Sequence, residues 1–120
     1  MPIKMSQQQT FIADIAIYTG TDFSQTFVLE DIQSNSLKDL TGYSACCSMR
    51  RYESSSVAAS FTTEFSNNRT DGKIILNMLE ATTSTLKPGK YFYDLVLQDS
   101  SGEKTRVVEG TVTVKRAVTR

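Results

Sequence analysis

Asp94 is where chemistry would have to start. It stands mid-strand among apolar neighbours in Tyr91-Phe92-Tyr93-Asp94-Leu95-Val96-Leu97. If the next hairpin sets Val96 opposite Arg106, then Asp94 and Arg106 share a face as a diagonal pair. Two roles fit: one half of a cross-strand ion pair, or a catalytic carboxylate. Acid–base catalysis needs a partner group, and the chain has no histidine, no second acid nearby in sequence and no activated nucleophile. The residues favour the ion pair.

Cys46 and Cys47 are sequence neighbours. In a strand they point to opposite faces, which excludes an ordinary disulfide between them. No further ligands stand at metal-site spacing, so they read as two small thiols, one in the core, in a reducing compartment. The five tyrosines lie in separate contexts. A sugar site built from them is conceivable, but strand tyrosines usually belong to the core or rim. The glycine-bearing loops lack a phosphate-cradling motif with a following helix. Asn68-Arg69-Thr70 fits a glycosylation sequon, but no secretory signal follows Met1, so it reads as chance. The expectation is a non-enzyme with no catalytic residue, cofactor, metal or small-molecule substrate.

The element that positions Asp94 begins in a forced corner. Pro88 fixes φ, and Gly89 supplies the positive φ that a tight turn needs. The strand that follows alternates, with Tyr91, Tyr93, Leu95 and Leu97 on one face. Leu-x-Pro-Gly-x-Tyr entering a late strand matches a tyrosine corner, in which the hydroxyl reaches back to a backbone group upstream. Tyr91 is the candidate. The plainer alternative is a turn followed by an amphipathic strand.

The rest of the chain alternates in short runs. Strands are expected over 11–18, 23–30, 43–51, 57–65, 73–79, 91–98 and 103–115, with one or two helical turns over 80–86. Asn67 to Gly72 and Asp99 to Gly102 are strong turn signals. Gly110 interrupts the last strand and marks a bulge or a close backbone approach. Residues 31–38 read as an exposed loop. Leu40 is placed to tuck beneath the sandwich edge.

The organisation is therefore a flexible arm over 1–10, one domain over 11–115 and a short tail over 116–120. The arm carries Ile3 and Met5 as apolar beads. It is either a loose terminus or an assembly arm that orders on a neighbour. Arg50-Arg51 closes a strand, either as a solvated cap or as a contact for an anionic partner. Thirteen basic residues balance thirteen acidic ones, leaving no field to hold nucleic acid. No segment is long and apolar enough for a membrane helix. Tryptophan is absent, so the buried indole of antibody domains cannot be present. Seven short strands with turns between them argue for an all-β, immunoglobulin-like antiparallel sandwich with a short helical turn before the sixth strand.

Several blocks in this order carry a resemblance. They are Gly20-Thr21-Asp22-Phe23, Asp39-Leu40-Thr41-Gly42-Tyr43, Asp71-Gly72-Lys73-Ile74 and Leu86-x-Pro-Gly-Lys-Tyr91-x-Tyr-Asp-Leu95. Asp99-x-Ser-Gly102 with Thr105-Arg106, then Glu109-Gly110-Thr111-Val112-Thr113-Val114, and Val118-Thr119-Arg120 complete the set. Together they resemble a family of small tailed-phage proteins related in layout to the N-terminal domain of phage baseplate upper proteins. The resemblance implies an immunoglobulin-like virion part at the tail baseplate or fibre attachment. It implies other virion subunits as partners, in a multimer, and assembly in the host cytoplasm. It carries over no catalytic residue. Ile3, Met5, Arg50, Arg51 and Arg120 are the candidate contact residues. A capsid decoration or neck protein is the alternative within the class, and a carbohydrate-binding adhesion module the alternative outside it.

Overall fold

The computed structural model describes residues 3–6, 11–31, 36–52 and 56–116. Among the described residues there are ten strands: β1 (Ile3–Ser6), β2 (Phe11–Ile12), β3 (Ile15–Tyr18), β4 (Phe23–Asp31) and β5 (Ser36–Leu37), then β6 (Ser44–Arg50), β7 (Val57–Phe65), β8 (Lys73–Met78), β9 (Gly89–Gln98) and β10 (Lys104–Lys115). One short helix, α1 (Glu80–Thr83), precedes β9. The strands form an all-β, immunoglobulin-like sandwich in which a single sheet curls back over itself, in the order β1-β4-β8-β7-β6-β9-β10-β2.

The count exceeds seven for definable reasons. The first expected strand is split in two, and β1 and β5 lie in segments read as arm and loop. The split falls at Ala13-Asp14. Ala13 N–H donates to the Glu109 carbonyl (3.0 Å), and Asp14 Oδ1 accepts from the Thr111 N–H (3.0 Å). Both β2 and β3 run parallel to β10, and β1 runs parallel to β4. The remaining expected arm residues, and 32–35 of the expected loop, lie outside the described residues.

Alternation puts the core where the sequence pattern demands it. Phe27, Leu29, Cys47, Met49, Phe61, Ile74, Leu76 and Leu95 are buried and face one another across the two layers. The layers are joined along one side by β7. Val57 to Phe61 pair with β6, whereas Thr62 to Phe65 pair with β8. The register skips Ala58 opposite the Met49–Arg50 step, a bulge that helps bend β7 from one layer into the other.

In the β9–β10 hairpin Arg106 opposes Val96, but Val107 is an extra residue and Asp94 then opposes Glu109. Val107 and Val108 are both buried, because the bulge lets consecutive side chains turn inward. The irregularity is thus three residues before Gly110. Gly110 itself is a close approach: a Cβ there would overlap the Ala13 carbonyl oxygen.

Candidate interaction surface

The Pro88-Gly89 corner sets the height of β9. Tyr91 Oη donates to the Lys87 carbonyl (2.8 Å), closing the tyrosine corner, and Gly89 takes φ 143°. Arg51 lies across this corner, its guanidinium 5.1 Å from the Tyr91 ring centroid. Arg51 therefore packs on the corner, while Arg50 points to the outer face of β6. Tyr93 makes a second lock that the sequence did not reveal. Its hydroxyl donates to the Ala13 carbonyl at 2.5 Å, tying β9 to the break between β2 and β3. Burial pushes the Tyr93 phenol well above its usual range, so it remains a donor.

With β9 fixed, its outward residues form a surface with β6 and β10. Arg50 stands opposite Phe92, and Phe92 opposite Thr111. Ser48 stands opposite Asp94, Asp94 opposite Glu109, and Glu109 opposite Ile12. These two rows bound an open groove of about 730 Å³. Its exposed apolar members are Ile12, 72% accessible, and Phe92, 39%. Arg106 Nε donates to Asp94 Oδ2 at 3.1 Å, with both side chains substantially exposed.

The groove holds three carboxylates, Asp14, Asp94 and Glu109, and the first two have structural work. Asp94 is bridged by Arg106. Asp14 accepts from both the backbone N–H and the hydroxyl of Thr111, and those bonds hold its carboxyl below the usual range. Among the described residues no group of three or more His, Cys, Asp or Glu side chains is placed to hold a metal ion. Cys46 is exposed and Cys47 buried, and burial raises the Cys47 thiol pKa well above its usual value, so that side chain stays a neutral apolar filler. No helix among the described residues is long and apolar enough to cross a membrane.

Two clamps outside the groove escaped the sequence reading. Arg69 stacks 3.9 Å from the Phe65 ring centroid and donates to the carbonyls of Leu40 (3.2 Å) and Tyr43 (2.8 Å). It fastens the segment in which Leu40 is fully buried. Asp22 Oδ1 accepts from the Glu80 N–H (2.7 Å), and the buried Thr83 hydroxyl donates to the Thr21 carbonyl (2.8 Å), so α1 is held on the turn before β4. An Asp at the close of a turn and a Thr in a helical run were the available signals, but neither names its partner. The Asn68 side chain accepts from the N–H and hydroxyl of Thr70, stabilising the turn itself. Arg120 lies outside the described residues.

No family model matches the chain, and no curated protein does. Solved structures do share its fold. The N-terminal domain of phage TP901-1 ORF48 superposes with a TM-score of 0.56 at 12% identity, covering 95% of this chain and 96% of that one. The SrpA adhesin from Streptococcus sanguinis superposes with a TM-score of 0.50 at 11% identity, covering 85% of this chain and 54% of that one. At such identities the likeness establishes the fold, an all-β sandwich.

Proposed function

We propose that this chain is a structural module of a tailed-phage virion, at the baseplate or fibre attachment, which acts by contacting other subunits rather than by catalysis. The observation that supports this reading most is the domain-for-domain match to the N-terminal domain of a phage protein, end to end in both chains. It coincides with sequence blocks, read independently, that resemble phage baseplate upper proteins. The surface is consistent with joining: an open groove with apolar residues set among mixed charges, of the kind found at polar protein interfaces. On this reading the module is assembled in the host cytoplasm and is multimeric in the particle, where symmetry multiplies weak contacts.

A mass-spectrometric inventory of purified particles, followed by crosslinking, tests the proposal. The expected result is the chain in mature particles, crosslinked to tail subunits. Crosslinks to the capsid or neck would move it there, and absence from particles would overturn the virion reading. A glycan-binding role has one observation in its favour, Phe92 exposed beside polar groups in the groove. Binding on a glycan array that Phe92→Ala abolishes would replace assembly with adhesion.

A further inference from the structure

The side of β4 away from β8 is occupied, over four residues, by the chain's own first strand. Ile3 pairs with Phe27, Lys4 with Val28, Met5 with Leu29 and Ser6 with Glu30, all in parallel. On the opposite side β4 is already satisfied, by β8 up to Val28 and by the Gly72 carbonyl at the Leu29 N–H. Without β1, the backbone of Phe27 to Glu30 would present an open edge beside fully buried Phe27 and Leu29.

We propose that this edge of β4 is a strand-acceptor site, and that in the assembled state its donor is β1 from a second copy of the chain. The proposal deepens the assembly reading and rests on it for its biological setting.

Three observations make β1 a strand that a second copy can supply. First, the donor already fits. The alternation Ile-Lys-Met-Ser runs in step with Phe-Val-Leu-Glu, so apolar positions of β1 stand opposite the two buried residues of β4 in the register. A one-residue slip would break that match. Second, β1 is separable. Among the described residues it pairs with β4 alone, whereas the next strands, β2 and β3, pair with β10 in the other layer. Third, the link is short. Four residues, Gln7 to Thr10, connect Ser6 to Phe11. Packed layers lie about 10 Å apart. The five Cα–Cα steps from Ser6 to Phe11 reach at most ~17 Å. That suffices for closure within one chain and equally for donation to a neighbour. Closed and exchanged forms make the same β1–β4 contacts, so the balance rests on the link and on local concentration. An assembly that holds copies side by side shifts that balance towards exchange.

The test uses full-length chains carrying Cys46→Ser, which removes the exposed thiol. One population adds Lys4→Cys and the other Val28→Cys. They are mixed at high concentration, unfolded and refolded together, then oxidised. Exchange predicts a disulfide-linked species of twice the chain mass in the mixture and not in either population alone. Only monomer in the mixture, alongside a double variant that closes within itself, would overturn exchange. A double variant that fails to close would overturn the register on which the proposal stands. A second variant deletes Gln7 to Gln9, leaving a reach of ~7 Å, short of the layer spacing. Light scattering should then find dimers or larger rings, and a folded monomer would count against the proposal. These readouts come from the isolated chain, so they can fail while the particle inventory succeeds, and the reverse.

Discussion

The two long sides of the sandwich are closed in different ways. On one side β7 runs from layer to layer as a single strand, paired with β6 in its first half and β8 in its second. On the other, the closing pieces come from the N-terminal segment: β1 on the edge of β4, and β2 with β3 on the edge of β10. The β7 side is anchored by a core aromatic, since Phe61 packs 5.7 Å from Phe23 and 6.2 Å from Tyr93, centroid to centroid. The N-terminal side is held by its short parallel pairings and by a cluster at Ala13-Asp14, where the Tyr93 hydroxyl, the space left by Gly110 and the Asp14–Thr111 bonds meet. One side is a continuous seam; the other, closed by separate short strands, is a latch.

The largest effect should come from breaking the seam. Phe61→Ala removes a buried ring where β7 crosses between layers, and should cost about 3–5 kcal/mol in chemical denaturation. If the crossing depends on that ring, cooperativity should fall as well. A loss below about 1 kcal/mol would show that the seam is held by backbone pairing alone.

Next comes the latch. Gly110→Ala places a methyl against the Ala13 carbonyl, a backbone atom that cannot swing aside. Overpacking of this kind costs about 1–3 kcal/mol. If the latch is separable, hydrogen exchange should accelerate in residues 11–18 while the β6–β9 amides stay protected. Uniform acceleration would mean that the two sides unfold as one.

The tyrosines refine the contrast. Tyr91→Phe deletes the bond to Lys87 within one corner, and Tyr93→Phe deletes the bond to Ala13 across the latch. Each should cost about 1 kcal/mol by thermal melting. Only Tyr93→Phe should also loosen residues 11–18. An unchanged melting curve for Tyr91→Phe would dismiss the corner as a source of stability.

What could be read from the chain beforehand follows the same division. Local patterns were legible. Alternation located the buried faces of β4, β8 and β9, and Leu-x-Pro-Gly-x-Tyr pointed to the corner, because strand period and turn chemistry are encoded within a few residues. Partners distant in sequence were not. Nothing near Tyr93 names Ala13, nothing near Arg69 names the Leu40 and Tyr43 carbonyls, and nothing in residues 3–6 names β4. The Val107 bulge was hidden because an apolar pair in a strand looks the same with or without an extra residue. Of the two readings Gly110 allows, a bulge or a close backbone approach, the second holds, and the bulge sits earlier in the strand.

Acid should act on the latch through Asp14. Its carboxyl is held below the usual carboxylate value of 3.8, chiefly by the Thr111 backbone N–H and then by the Thr111 hydroxyl. A carboxylate with a lowered folded-state pKa contributes stability that is fully present above the unfolded value and lost as pH falls through the folded one. The window therefore lies below about pH 4. Asp39 and Asp99 are lowered in the same direction, by hydroxyl and backbone donors within their own turns, so the whole domain should weaken there. Asp14→Asn separates the contributions. The variant should lose less melting temperature between pH 5 and pH 3 than the parent, in the range set by ordinary carboxylates. Because Asp14 is exposed, the difference should be small, of the order of the scatter between melts. Exchange rates in residues 11–18 are thus the sharper readout. If those residues loosen in acid equally with and without the Asp14 carboxylate, the grip on this side of the sandwich is the Tyr93 hydroxyl and the space left by Gly110, with no contribution from charge.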